Sequence, residues 1–156
     1  MRVILPGSYD PITLGHLAII EAAAEKYSEV FVVAFVNPDK KYAFPMEERV
    51  EMIRLAVSHL KNVRVDFSLG RVVDYMREKE ISLIVKGYRN ERDLEYERAQ
   101  AEYNLKNGGY ETELIKCERC LENISSTAAR EAIGKGENLE KILSDSVISY
   151  LEGRNR

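Results

Sequence analysis

Apolar positions in this chain follow two rhythms, short unbroken runs and stretches of helical spacing, and the two alternate from one end to the other. Residues 2–5 are a short apolar run that predicts a buried strand, closed by Pro6 and Gly7, which cannot continue a ladder. Leu17, Ile20, Ala24 and Tyr27 then repeat as one stripe of a helix. Residues 30–36, β-branched and aromatic throughout, predict a strand covered on both faces, and Asn37-Pro38-Asp39 breaks it ahead of Lys40 and Lys41. Met46, Val50, Ile53, Val57 and Leu60 mark a second helix, with Pro45 at its start and Glu47 and Glu48 where the dipole favours acid. Residues 63–67 alternate, as a strand at or near a sheet edge does.

The same alternation continues through the second half. Val72, Val73, Tyr75 and Met76 predict a helix, and residues 82–85 a short buried strand that ends at Lys86-Gly87-Tyr88-Arg89. A charged helix follows over about residues 91–105, with Leu94, Ala101 and Leu105 as its core side and Asn107-Gly108-Gly109 as its stop. Residues 111–115 predict a fifth strand. Ser125, Ser126 and Thr127 offer hydroxyl caps to a helix reaching Ile133, and Leu139, Ile142, Leu143, Val147 and Leu151 form the stripe of a C-terminal helix. The predicted fold is α/β: a Rossmann-like, doubly wound parallel sheet of five strands with helices on both faces and a C-terminal helix. At 156 residues the expectation is one domain spanning 1–156.

Charge and composition narrow the function. A net charge of −3 gives no overall attraction for nucleic acid. No apolar run approaches a membrane span, and the N-terminus lacks the form of a signal peptide, so a cytoplasmic protein is expected. Cys117 and Cys120 form a Cys-x-x-Cys pair, and with His16 and His59 as the only histidines a zinc site is not expected; the pair is read as reduced thiols.

In a doubly wound sheet, ligands bind outside the carboxyl ends of the strands where the winding reverses. The unusual residues cluster there. Gly7 to His16 follows the first strand, Lys40 the second and Lys86 to Arg89 the fourth, while Ser125 to Thr127 open a later helix. Gly15 and His16 fall in the first turn of the first helix, whose N–H groups have no intrahelical acceptor and attract anions. Two helix starts, three cations and a glycine turn at one sheet edge make a polyphosphate cradle.

Thr13-Leu14-Gly15-His16 resembles the (T/H)xGH signature of the nucleotidyltransferase superfamily, and Gly7-Ser8-Tyr9-Asp10-Pro11 is similar to the G-[TS]-F-D-P opening of the phosphopantetheine adenylyltransferases. The resemblance covers nearly the whole chain. It implies adenylyl transfer from ATP to 4′-phosphopantetheine with Mg²⁺, giving dephospho-coenzyme A and pyrophosphate, in a homohexamer with coenzyme A as a feedback ligand. By the same resemblance Ser8 contacts the acceptor phosphate and Tyr9 the nucleotide, His16 stabilises the transition state, and Lys40 holds the reacting phosphates. Val72 then lines the pantetheine site and Lys86 binds the acceptor, while Gly87, Tyr88, Arg89, Glu97 and the segment Leu121, Glu122, Asn123, Ile124, Ser125, Ser126, Thr127 hold ATP. Lys86 stands where the family usually has arginine, Ser8 where threonine is commoner, Arg71 where an aliphatic residue is usual, and Cys117 to Leu121 replace a more apolar loop. Transfer to nicotinamide mononucleotide or of CMP to a polyol phosphate, a non-catalytic nucleotide-binding module, and a redox protein using the two cysteines are the other readings.

Overall fold

A computed structural model describes residues 1–117 and 124–154. Eleven elements follow in the order β1 (Arg2–Gly7), α1 (Leu14–Lys26), β2 (Glu29–Phe35), α2 (Met46–Ala56), β3 (Val63–Ser68), α3 (Val72–Lys79), β4 (Leu83–Tyr88), α4 (Glu91–Gly108), β5 (Glu111–Lys116), α5 (Ser126–Lys135) and α6 (Asp145–Arg154). The five strands form one sheet in the order β3-β2-β1-β4-β5. Every pair is parallel. The fold is thus the Rossmann-like α/β arrangement predicted, with the alternating strand β3 at an edge. Winding proceeds outward from β1 through β2 to β3, then returns to the other side of β1 as β4. The reversal lies between β1 and β4.

That reversal distributes the helices. One face of the sheet, carrying Val3, Leu5, Val30, Val32, Ala34 and Val85, buries the apolar stripes of α1, α2 and α6. The opposite face, carrying Ile4, Phe31, Val33 and Ile84, packs against Tyr75 and Met76 of α3 and Ile81. Strands buried on both sides read as unbroken apolar runs, which is why residues 30–36 carry no polar alternation. Gly87 is needed for close approach, since a Cβ there would meet Ile19 Cγ1 of α1 at 2.5 Å.

Several boundaries differ from expectation. Strand β1 continues through Pro6 and Gly7, which pair with Val33 and Ala34 of β2. Proline is tolerated because its missing donor faces β4, where the register with β1 covers only Val3 and Ile4, and its carbonyl on that side is met by Lys86 Nζ at 3.5 Å. The C-terminal helix begins only at Asp145; Leu139, Ile142 and Leu143 form a turn in which both later N–H groups donate to the Leu139 carbonyl. Their helical spacing reflects burial of a turn, for Leu143 is fully in the core. Helix α4 buries no residue, and Leu105, assigned to its core side, is 51% exposed. Cys117 is disulfide-bonded rather than a reduced thiol. The residue is buried, and burial shields a disulfide from the thiols that would reduce it. Cys120 lies outside the described residues, as do Leu121, Glu122 and Asn123.

Candidate active site

Past Ile4 and Ile84 no further β1–β4 residue pairs are made, and a cavity of about 470 Å³ opens at the carboxyl ends of these strands. Its wall brings together Ser8, Tyr9, His16, Lys40, Lys86, Gly87, Tyr88, Arg89, Glu97, Ile124, Ser125, Ser126 and Thr127, residues predicted from five separate stretches of chain. A second cavity of about 260 Å³ adjoins it, bounded by Val72 of α3, Phe35 and Val36 after β2, and Gln100 and Asn104 of α4. Pro6, Gly7, Ser8, Lys40, Lys86, Tyr96 and Glu97 line both cavities and form their common wall.

His16 is fixed by the start of α1. Thr13 is the N-cap, its hydroxyl accepting from the His16 N–H at 3.3 Å, and the His16 ring reciprocates: Nδ1 accepts from the Thr13 N–H at 3.0 Å. An Nδ1 that accepts leaves the neutral ring's proton on Nε2. Burial, reinforced by the positive charges of Lys86 and Arg89, lowers the imidazole pKa from 6.5 to about 4. His16 is therefore a neutral N–H donor at physiological pH, neither a base with a free Nδ1 nor a standing cation. The Tyr9 ring tilts against it with centroids 4.9 Å apart. Tyr9 is buried, at φ 48°, with its hydroxyl donating to the Leu5 carbonyl at 2.9 Å, so its side chain buttresses the imidazole as much as it borders the cavity.

The helix N–H groups are less open than the sequence suggests. Leu14 N–H donates to the Ile142 carbonyl, His16 N–H to Thr13 and Leu17 N–H to the Thr13 carbonyl. Among the described residues this leaves the Gly15 N–H for a ligand. At the second helix start, Ser125 caps α5 by accepting from Ala128 N–H at 3.0 Å, and Ser126 Oγ donates to the Pro11 carbonyl at 2.9 Å. The Ser125 hydroxyl thus caps its own helix and that of Ser126 ties the helix start to the loop after β1, while the backbone of α5's first turn remains a donor surface.

The charged side chains differ in restraint. Lys86 Nζ sits 3.8 Å from Glu97 Oε1, and Arg89 Nε donates to Asp93 at 3.0 Å. Glu97 is held above the usual carboxylate range by burial, which outweighs the opposing pull of Lys86. Its Oε2 has no hydrogen-bond partner among the described residues, nor has Thr112 Oγ1, which lines the second cavity. Two buried polar atoms without partners at one place imply donors and acceptors that arrive with a ligand. Lys40 is exposed on the loop after β2. Arg71 pairs with Asp74 at 3.0 Å and is not among the residues of either cavity, so its charge does not enter the second one.

Asp93 and Arg130 on the first cavity's wall had no place in the sequence expectations, and Asp10 entered them only as a motif member without a role. Arg130 donates to the Asp10 carbonyl at 2.8 Å and to Thr127 Oγ1 at 3.2 Å. The three-residue spacing from Thr127 to Arg130 on a helix was the available signal, since it places both on one face.

A family model described as cytidylyltransferase-like matches residues 4–132, a span that runs from β1 into α5 and contains both cavities' polar walls. The chain belongs to the cytidylyltransferase-like family. The match supports nucleotidyltransferase chemistry, the attack of an acceptor on the α-phosphorus of a nucleoside triphosphate. Among the described residues no helix is long and apolar enough to cross a membrane.

Proposed function

We propose that this cytidylyltransferase-like chain is a phosphopantetheine adenylyltransferase, joining AMP from ATP to 4′-phosphopantetheine and releasing pyrophosphate. The observation that carries the proposal is the shared wall. A triphosphate in the larger cavity and an acceptor in the smaller would meet at Ser8, Lys40 and Lys86, which line both. The smaller cavity mixes apolar Phe35, Val36 and Val72 with amide-bearing Gln100 and Asn104, a lining suited to an arm that itself alternates methylenes with amides.

In this reading an oxygen of the acceptor phosphate attacks the α-phosphorus in line, the bond to the bridging β-oxygen breaks, and pyrophosphate leaves with that electron pair. The acceptor phosphate is largely ionised near neutral pH, so no general base is required. His16 donates from Nε2 to an α-phosphate oxygen, Lys40 and Lys86 bridge acceptor and α-phosphates, and Arg89 with the α5 start faces the β- and γ-phosphates. Positioning and charge neutralisation supply the rate. Mg²⁺ would enter as an ion carried by the triphosphate, and the buried Glu97 Oε2, without a hydrogen-bond partner among the described residues, is a candidate to meet it or its water. When bound, it would neutralise charge on the phosphate oxygens.

The exposed apolar residues Phe67, Leu69, Tyr96, Tyr103 and Leu105 support self-association, here proposed as a homohexamer, and coenzyme A is proposed as a competing ligand of the two cavities. A cytoplasmic site of action accords with substrates of this kind. Pyrophosphate release tests the activity: ATP with 4′-phosphopantetheine should turn over, and ATP with nicotinamide mononucleotide or a polyol phosphate should not. Turnover of either alternative acceptor in place of 4′-phosphopantetheine would overturn the assignment.

A further inference from the structure

Lys40 lies in the exposed part of a loop, residues 36–45, anchored in the core only through Phe44, yet it lines both cavities. The loop is held from outside itself. Asp10 is buried, and its carboxylate accepts from two successive backbone donors, Oδ2 from Ala43 N–H and Oδ1 from Phe44 N–H, both at 2.9 Å. Arg49 of α2, 2% exposed, donates from Nε to the Phe44 carbonyl at 3.1 Å and from Nη1 to the Ser8 carbonyl at 2.9 Å. Its guanidinium also lies 4.0 Å from the centre of the Tyr42 ring. The Tyr42 hydroxyl in turn accepts from Asn37 N–H at 2.6 Å, closing the loop across Lys40.

A buried guanidinium satisfied by two carbonyls and a ring is a costly arrangement for mere packing, because its desolvation is compensated by partial charges alone. What those contacts have in common is the pair of loops they join. We infer that Asp10, Arg49 and Tyr42 form a clamp of positioning residues that fixes Lys40 relative to Ser8, so that the lysine meets the reacting phosphates without a search. The inference rests on the proposed transfer reaction for its kinetic consequences. Its mechanical consequence, a restrained loop, is independent of the substrate.

Full-length R49K and Y42L provide the test, R49K keeping the charge but losing the fork and Y42L altering a loop residue that the core does not need. Both should lower kcat by about tenfold to a hundredfold while ATP affinity, measured by calorimetry, stays within about twofold. Replacing Lys40 by alanine should then cost far less in the R49K background than in the wild type, because the two act as one unit. Trypsin should cut after Lys40 or Lys41 several-fold faster in both variants, with cleavage elsewhere unchanged. Wild-type kcat in both variants, additive losses on combining R49K with K40A, or unchanged cleavage at this loop would overturn the clamp. If the wild-type protein releases no pyrophosphate with 4′-phosphopantetheine, the functional proposal falls alone, and the trypsin comparison still decides the clamp.

Discussion

Helix α1 and helix α4 both line the larger cavity and are built on opposite terms. The first buries Leu17, Ile19, Ile20 and Ala23, is closed by a reciprocal cap, and presses against Gly87 with no room for a Cβ. The second runs for 18 residues along β4 and β5 without fully burying any of them, and its Gln100 and Asn104 line the smaller cavity. Rigidity is concentrated where charge develops during transfer. The wall that would meet the variable part of an acceptor is polar, open and carries the two buried atoms without partners. His16 is thus set by buried structure, whereas Gln100 and Asn104 stand on a helix with no fully buried residue.

The largest effect expected from breaking this contrast is at the rigid wall. His16→Ala should reduce kcat by about a hundredfold to a thousandfold, the range for loss of one preorganised donor, with ATP affinity changed only a few-fold. Steady-state pyrophosphate release and calorimetry measure the two halves of that statement. A loss confined to ATP binding would mean that His16 recognises the ground state instead.

At the soft wall, Thr112→Val should leave kcat near wild type and raise the KM for the acceptor by roughly two- to fivefold, since it deletes one buried hydroxyl that a ligand is expected to satisfy. The same substitution should leave stability unchanged or slightly improved in the free protein, because the hydroxyl has no partner to lose. Thermal unfolding with and without acceptor separates the two outcomes.

Glu97 makes the contrast titratable. Burial raises its pKa in the folded state, so the folded protein holds a proton there to higher pH than the unfolded chain does. Its destabilising effect is absent below the unfolded carboxylate pKa and grows as pH rises through the folded value. Glu97→Gln should therefore raise the unfolding midpoint by a few degrees at pH 7 to 8 and by nothing at pH 3.5. Equal midpoints at neutral pH would show that Lys86 already compensates the carboxylate fully.

The smallest effect is one of silence. His16 titrates near 4 in the folded protein against 6.5 ordinarily, so acid costs stability as pH falls from 6.5 to 4, where the unfolded ring takes a proton and the folded one does not. The ring resonances of His16 should accordingly show no step between pH 5 and 8, and His16→Asn should flatten that part of the stability profile.

These regions were unequally legible in the sequence. The buried strands and α1 announced themselves because a strand covered on both faces has only apolar residues to show, and because Gly15 and His16 sit a fixed distance after a strand end. Leu105 misled, since an apolar residue at helical spacing looks the same whether it meets the core or the solvent. Leu139 and Ile142 misled in the opposite way, by burying a turn at the spacing of a helix. Arg49 left no trace and Asp10 showed only as a motif member without a role, since Ser8 lies 41 positions from Arg49 and Ala43 33 from Asp10. Contacts of that kind depend on the crossover, and no local pattern encodes them.

The central claim is that the acceptor's phosphate oxygen attacks the α-phosphorus of ATP at the wall shared by the two cavities. Acceptor labelled with ¹⁸O in its phosphate tests this by ³¹P NMR of the products. The account predicts label in the new bridge between the two phosphorus atoms of the diphosphate ester, and unlabelled pyrophosphate. Label appearing in a β- or γ-derived product, or ADP formed in place of pyrophosphate, would contradict it.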